Sequence, residues 1–172
     1  MNKRIFAVIL CVAFSVLFVF SGCSNSGGSQ QLSEDEYIEE LKYNYHEYVR
    51  TISTLFSVLE YGESDFEEID PDRYEQEYQK AKTALNNSAA LTPPEEYSEL
   101  HSKLKSSVSR ELEYIESLNE YYSHSKNYPN LSDDDLSEME RIEEELNDIL
   151  SDNSLFANVF FEIITYYDSK TE

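Results

Sequence analysis

From Ile38 to Leu59 the apolar residues return at spacings of three and four: Ile38, Leu41, Tyr45, Tyr48, Ile52, Leu55 and Leu59. That period puts them on one face of an α-helix, whereas a strand would alternate its faces every second residue. Ser33 and Glu36 stand just ahead of the run at the spacing of a capping box, in which each side chain satisfies a backbone N–H of the first turn. Leu32 is placed to staple onto Tyr37, and Gly62 supplies a stop. The helix so defined runs from Ser33 to Tyr61, about 43 Å at the α-helical rise.

The same period recurs along the rest of the chain. After a loop over 62–69, with Phe66 and Ile69 tucked inward, Asp70 and Pro71 read as N-cap and first helical residue. Tyr74, Tyr78, Ala81 and Leu85 follow, and the helix is expected to fade near Asn86 and Asn87. Thr92-Pro93-Pro94-Glu95 reads as a cap, two prolines tolerated in a first turn, and a second capping box. The stripe it opens is Tyr97, Leu100, Leu104, Val108, Leu112, Ile115, Leu118 and Tyr122. A turn from His124 through Pro129-Asn130 leads to Ser132 and Asp135, which cap a run carried by Leu136, Met139, Ile142, Leu146 and Ile149.

The helical signal weakens at 151–154 and resumes in an apolar stretch from Leu155 to Tyr167. Its β-branched and aromatic residues suit a strand, but Phe156, Phe160, Ile163 and Tyr167 keep helical spacing and no second strand is on offer as a partner. The expected fold is all-α: an up-down-up-down antiparallel four-helix bundle over 33–172, its last helix either continuous, or kinked or split near Asn153.

Ahead of the bundle, Lys3 and Arg4 precede an apolar run from Ile5 to Phe20, then Ser21, Gly22 and Cys23. A basic start, a short apolar run and small residues are the three zones of an export signal. The run is shorter than the roughly 20 residues a spanning helix needs, and the next basic residue is Lys42. Phe20-Ser21-Gly22-Cys23 resembles the lipobox of bacterial lipoproteins, with Phe20 in place of the usual Leu. The resemblance covers residues 1–23. It implies that residues 1–22 are a removed leader and that Cys23 is the first mature residue. That residue would carry a diacylglycerol and hold the chain on the outer face of the cell membrane. Two acyl chains suffice for a stable anchor, because each buried methylene contributes about 0.8 kcal/mol. Residues 24–32, SNSGGSQQL, read as a flexible linker after the lipidated Cys23, with a reach of about 30 Å when fully extended.

Charge narrows the partners. The chain has 13 Lys+Arg against 35 Asp+Glu, a formal net charge of −22, and loss of Lys3 and Arg4 with the leader takes it to −24. Nucleic acid, which is bound through clustered Lys and Arg, is not an expected partner. Anionic headgroups would repel the domain over a Debye length of about 8 Å. Either the acids serve as a solubilising skin, or they meet a cationic partner: a basic protein or peptide, a wall-associated group or a divalent ion. Both cysteines, Cys11 and Cys23, precede the folded part, which must be held by packing alone.

Chemistry-bearing constellations are sparse. His46, His101 and His124 are preceded three residues earlier by Tyr43, Ser98 and Tyr121, not by the Glu of a di-metal carboxylate bundle. They read as surface or boundary histidines, and no metal or cofactor is expected. Asp133-Asp134-Asp135 and Glu143-Glu144-Glu145 lack the central glycine of a calcium loop and suit helix termini and faces better. No nucleophile elbow or phosphate-cradling loop is present, so an enzyme is not expected. Fourteen tyrosines and no tryptophan are the unusual feature. Tyr45, Tyr48, Tyr74, Tyr78 and Tyr97 either form broad core edges or line a groove for a peptide or partner helix.

The stretch TPPEEYSELHSKL at 92–104 makes the domain similar to small helical-bundle lipoproteins of Gram-positive surfaces. That resemblance implies a non-enzymatic binding or structural envelope module. The alternatives are a solute- or cation-binding lipoprotein beside a transporter and an immunity or exclusion lipoprotein.

Overall fold

Five α-helices account for the architecture of the computed structural model, which describes residues 31–60, 70–126, 130–150 and 155–171. They are α1 (Glu34–Glu60), α2 (Pro71–Ala90), α3 (Ser98–Ser125), α4 (Asp133–Leu150) and α5 (Phe156–Thr171), with a 3-10 turn at Glu95–Tyr97 leading into α3. No strand occurs among the described residues, so the all-α expectation holds. Among the described residues the stretch expected as a continuous, kinked or split last helix is two helices, α4 and α5. Gly62, Phe66, Ile69, Pro129 and Asn153 lie outside the described residues, as do the leader, Cys23 and residues 24–30.

Local chemistry sets three of the helix starts. The Ser33–Glu36 box forms reciprocally: the Ser33 N–H donates to Glu36 Oε2 at 2.9 Å, and the Glu36 N–H donates to Ser33 Oγ at 3.4 Å. Asp70 caps α2 by accepting from the Asp72 and Arg73 N–H groups, with Pro71 as first helical residue. Ser132 and Asp135 form the second box, at the head of α4. Asp70→Ala is expected to cost about 1 kcal/mol, read as a lower urea midpoint with an unchanged slope.

The 92–95 expectation is corrected. Pro94 is extended, with ψ 153°, and neither the 3-10 turn nor α3 has a side-chain cap, so Thr92 and Glu95 form no box. Proline cannot donate, and it disfavours helical backbone in the residue before it. The two prolines therefore act as an extended spacer, and α3 starts three residues beyond Glu95. Helix α2 also outruns its expected fading point: Asn86 donates back to the Lys82 carbonyl at 2.9 Å, and the helix continues to Ala90.

The core is one continuous cluster. Ile38, Leu41, Tyr48 and Leu55 of α1 meet Leu85 of α2, Leu104, Ile115 and Leu118 of α3, Ile142 of α4, and Phe156 and Ile163 of α5. Leu136 is the exception on α4: it was expected on the apolar stripe and is exposed. The folded unit begins at Gln31, earlier than the linker expectation placed it. Gln31 Nε2 donates to the Pro93 carbonyl and the Leu32 N–H to the Thr92 carbonyl, each at 3.2 Å, which ties the chain before α1 to the α2–α3 connection.

Cross-helix contacts fix the register. Tyr74 of α2 stacks on Tyr122 near the end of α3, while Ala89 reaches His101 near its start. Tyr121 donates to Glu143 and His124 pairs with Asp135, so α4 runs back along the C-terminal half of α3. Phe156 then meets Glu111, and Glu162 meets Lys103, placing α5 along the N-terminal half of the same helix. At the far end of α5, Lys170 sits 2.7 Å from Glu34 and 2.8 Å from Glu96, tying the last helix to the start of α1 and to the 3-10 turn.

Candidate functional site

The five tyrosines expected either at core edges or along a groove are dispersed through the packing. Tyr48, Tyr74, Tyr78 and Tyr97 are buried, and Tyr45 is half-buried with its ring stacked on Phe160 at 3.8 Å between centroids. Tyr97 packs against Tyr37 and Tyr166, whereas Tyr74 packs against Tyr122, so no single open channel gathers the five. Tyr74 donates to the Leu118 carbonyl at 3.3 Å, and Tyr78 accepts from Lys82 at 3.3 Å.

The histidines separate by environment. His101 is buried, a correction to its expected boundary position. Its Nε2 lies 3.3 Å from the Ala89 carbonyl and its Nδ1 3.1 Å from the Tyr37 hydroxyl. A carbonyl only accepts, so Nε2 carries the proton and Nδ1 accepts from Tyr37. Burial holds this imidazole below its ordinary value and hence neutral. His124 lies on Asp135, and that contact, with the Ser132 bonds, holds the Asp135 carboxyl well below the usual range. His46 is exposed beside Tyr45. Among the described residues no three His, Cys, Asp or Glu side chains gather as a metal site would need.

Glu111 was not foreseen. It is buried on α3, where Oε1 accepts from the Tyr48 hydroxyl and Oε2 from the Phe156 N–H at 3.2 Å. One carboxylate thus joins α1, α3 and the first turn of α5. Burial pushes the Glu111 carboxyl up, while the Tyr48 and Phe156 bonds pull it down less strongly. Tyr114, also buried, has a hydroxyl with no hydrogen-bond partner among the described residues. The signal was available in the α3 stripe: Leu104, Val108, Ile115 and Leu118 keep a four-three rhythm only if position 111 is on the seam.

An open groove of about 580 Å³ separates α3 from α4. Glu113, Glu116 and Glu120 line it from α3, at spacings that put them on one face, with Glu145 and Asp148 opposite and Ile149 half-buried between. Only Glu145 of the 143–145 acidic run faces it, since Glu143 is engaged by Tyr121. Arg110 pairs with Glu113 at 3.2 Å, Lys82 with Glu116 at 3.0 Å, and Arg141 with both Glu120 and Glu145. These carboxylates are about half exposed, and such surface pairs contribute at most about 1 kcal/mol. An incoming cation can therefore displace the resident ones at little cost.

No described helix is long and apolar enough to cross a membrane. Comparison with known protein families, with curated proteins and with solved structures finds no match to this chain.

Proposed function

We propose that this chain is a lipid-anchored, extracytoplasmic and non-enzymatic module that holds a basic polypeptide against its α3–α4 groove. The observation that carries the reading is the groove itself: five carboxylates on two facing helices, four of them in exposed and exchangeable ion pairs, in a chain with a formal charge of −22. Ile149 gives an amphipathic ligand one apolar foothold there. The FSGC tetrapeptide at 20–23 supports attachment through Cys23. The same reading takes the fold as an up-down-up-down antiparallel bundle with α4 and α5 sharing the fourth limb, because both run back along α3 in succession.

Two measurements on the membrane-extracted protein test it. Intact mass is expected to place a diacylglycerol on Cys23 with residues 1–22 gone. Titration with oligolysine is expected to show binding at about 0.1 M salt that is lost near 1 M, where the Debye length falls to about 3 Å. It should also weaken in a Glu116→Gln, Glu120→Gln double variant. Binding indifferent to salt and to both substitutions would rule the groove out.

A further inference from the structure

A second cleft, of about 250 Å³, lies between α1 and α2 and differs in chemistry from the acidic groove. Tyr43, Asn44 and Glu47 line it from α1; Gln79, Lys80 and Thr83 line it from α2. Its charges cancel: Glu47 pairs with Arg50 at 2.9 Å and Lys80 with Glu77 at 2.8 Å, and beside these pairs lie Asn44, Gln79, Asn87 and the Thr83 hydroxyl.

Asn44 is the residue that packing does not explain. It sits on the buried seam of α1 between Leu41 and Tyr48 and is 3% exposed, yet its side-chain amide bonds to no protein group among the described residues. Among the described residues only the Tyr114 hydroxyl is fully enclosed without a partner, so the Asn44 amide reaches water through the cleft. The exposed part of Asn44 faces the cleft. Its neighbours there keep spare capacity. Thr83 donates to the Gln79 carbonyl at 2.8 Å and retains its lone pairs, and Gln79 donates one N–H to Glu75 at 2.9 Å and retains its carbonyl. The ring of Tyr43 stands at the mouth, 63% exposed.

Amide donors and acceptors without net charge, beside a free aromatic face, match a ligand that has both hydroxyls and a C–H face. The volume is below the roughly 300 Å³ at which pockets for drug-sized molecules begin, so one ring fills it. We propose that the α1–α2 cleft binds a single pyranose unit of a neutral glycan, with Tyr43 stacked on the sugar face and Asn44 bonded to its substituents. This site is separate from the groove assigned to a basic polypeptide and does not depend on it.

The test is a titration of the isotopically labelled mature chain with chitotriose and, separately, with maltotriose, followed by NMR. With at least one of the two sugars, the Asn44 side-chain amide and Tyr43 ring signals are expected to move, with Kd on the order of 1 mM. Tyr43→Ala and Asn44→Leu are each expected to weaken binding by about 10-fold or more. Asn44→Leu is expected to melt no lower than the parent, because the amide bonds to no protein group among the described residues; this keeps a binding loss distinct from a folding loss. Signals unmoved by either sugar, or shifts that persist in both variants, would overturn the assignment.

Discussion

Phe156→Ala is expected to cost about 3–5 kcal/mol, the scale of losing a fully buried aromatic side chain, and to lower the melting temperature by on the order of 10 °C. Phe156 opens α5 with no exposed surface, its ring 5.8 Å from Tyr45 and 5.6 Å from Tyr48, the latter edge to face. Such aromatic pairs add about 0.5–1.5 kcal/mol beyond area burial. Alanine keeps the backbone N–H that donates to Glu111 and is the best helix former, so neither the cap nor helix propensity accounts for the loss. What goes is the wedge that presses the start of α5 onto α1. Native-state amide exchange should therefore accelerate first in residues 156–163, while α2 and α3 keep their protection. The far end of α5 retains Tyr167 on Asp35 and Lys170 on Glu34. A cost below about 1 kcal/mol would mean that α5 is not docked through this residue.

The sequence was most legible where the physics is local. Ser33 with Glu36, Asp70 with Pro71, and Ser132 with Asp135 each satisfy N–H groups within four residues of themselves, so no knowledge of the fold was needed to place them. The α1 seam was equally open to reading, because a run of three and four spacings admits one secondary structure. Signals that depended on competition failed. Asn86 is a poor helix former in isolation, yet its side chain bonds back into its own helix, and Ala81, Ala84 and Leu85 beside it are buried. The prolines at 93 and 94 were compatible with a first turn or with a spacer, and the link from Leu32 to Thr92 favours the spacer.

The candidate sites were hardest to see, for a common reason. Asn44, His101 and Glu111 are polar residues on apolar stripes, and a reading that follows hydrophobicity steps over them. Rhythm finds them instead. Leu41, Asn44, Tyr48, Thr51 and Leu55 are all buried, at spacings of three, four, three and four, so the seam passes through the asparagine. Of the two readings open for the tyrosines, the core-edge one matches their burial: after Cys23 there are five phenylalanines and no tryptophan, and tyrosines serve among the large core side chains.

Glu111 yields the other large effect, and its two variants should move in opposite directions. Glu111→Leu removes both acceptors and leaves the Tyr48 hydroxyl and the Phe156 N–H buried without partners. At about 1–3 kcal/mol for each orphaned group, the loss is on the order of 3 kcal/mol. Glu111→Gln retains the shape: its carbonyl can accept from Phe156 and its amino group can donate to the Tyr48 oxygen. It is expected to stabilise the fold at pH 7 by about 1 kcal/mol, a common size for a favourable single change, because the parent must keep a charge out of water there. The pH dependence separates charge from shape. Burial raises the Glu111 carboxyl in the fold above its ordinary 4.5. The stability tied to its protonated form is therefore complete below that value and is lost as pH rises through the folded-state value. His101 works the other way. Its lowered folded-state value means that stability is present above 6.5 and falls on acidification. Because His101 is common to parent and variant, subtracting their urea stabilities between pH 7 and 4.5 cancels it. The Glu111→Gln advantage should be greatest at pH 7 and shrink toward the acid end, where the parent carboxyl gains its proton. A difference that stays flat across the range would assign the effect to packing and remove the buried charge from the account.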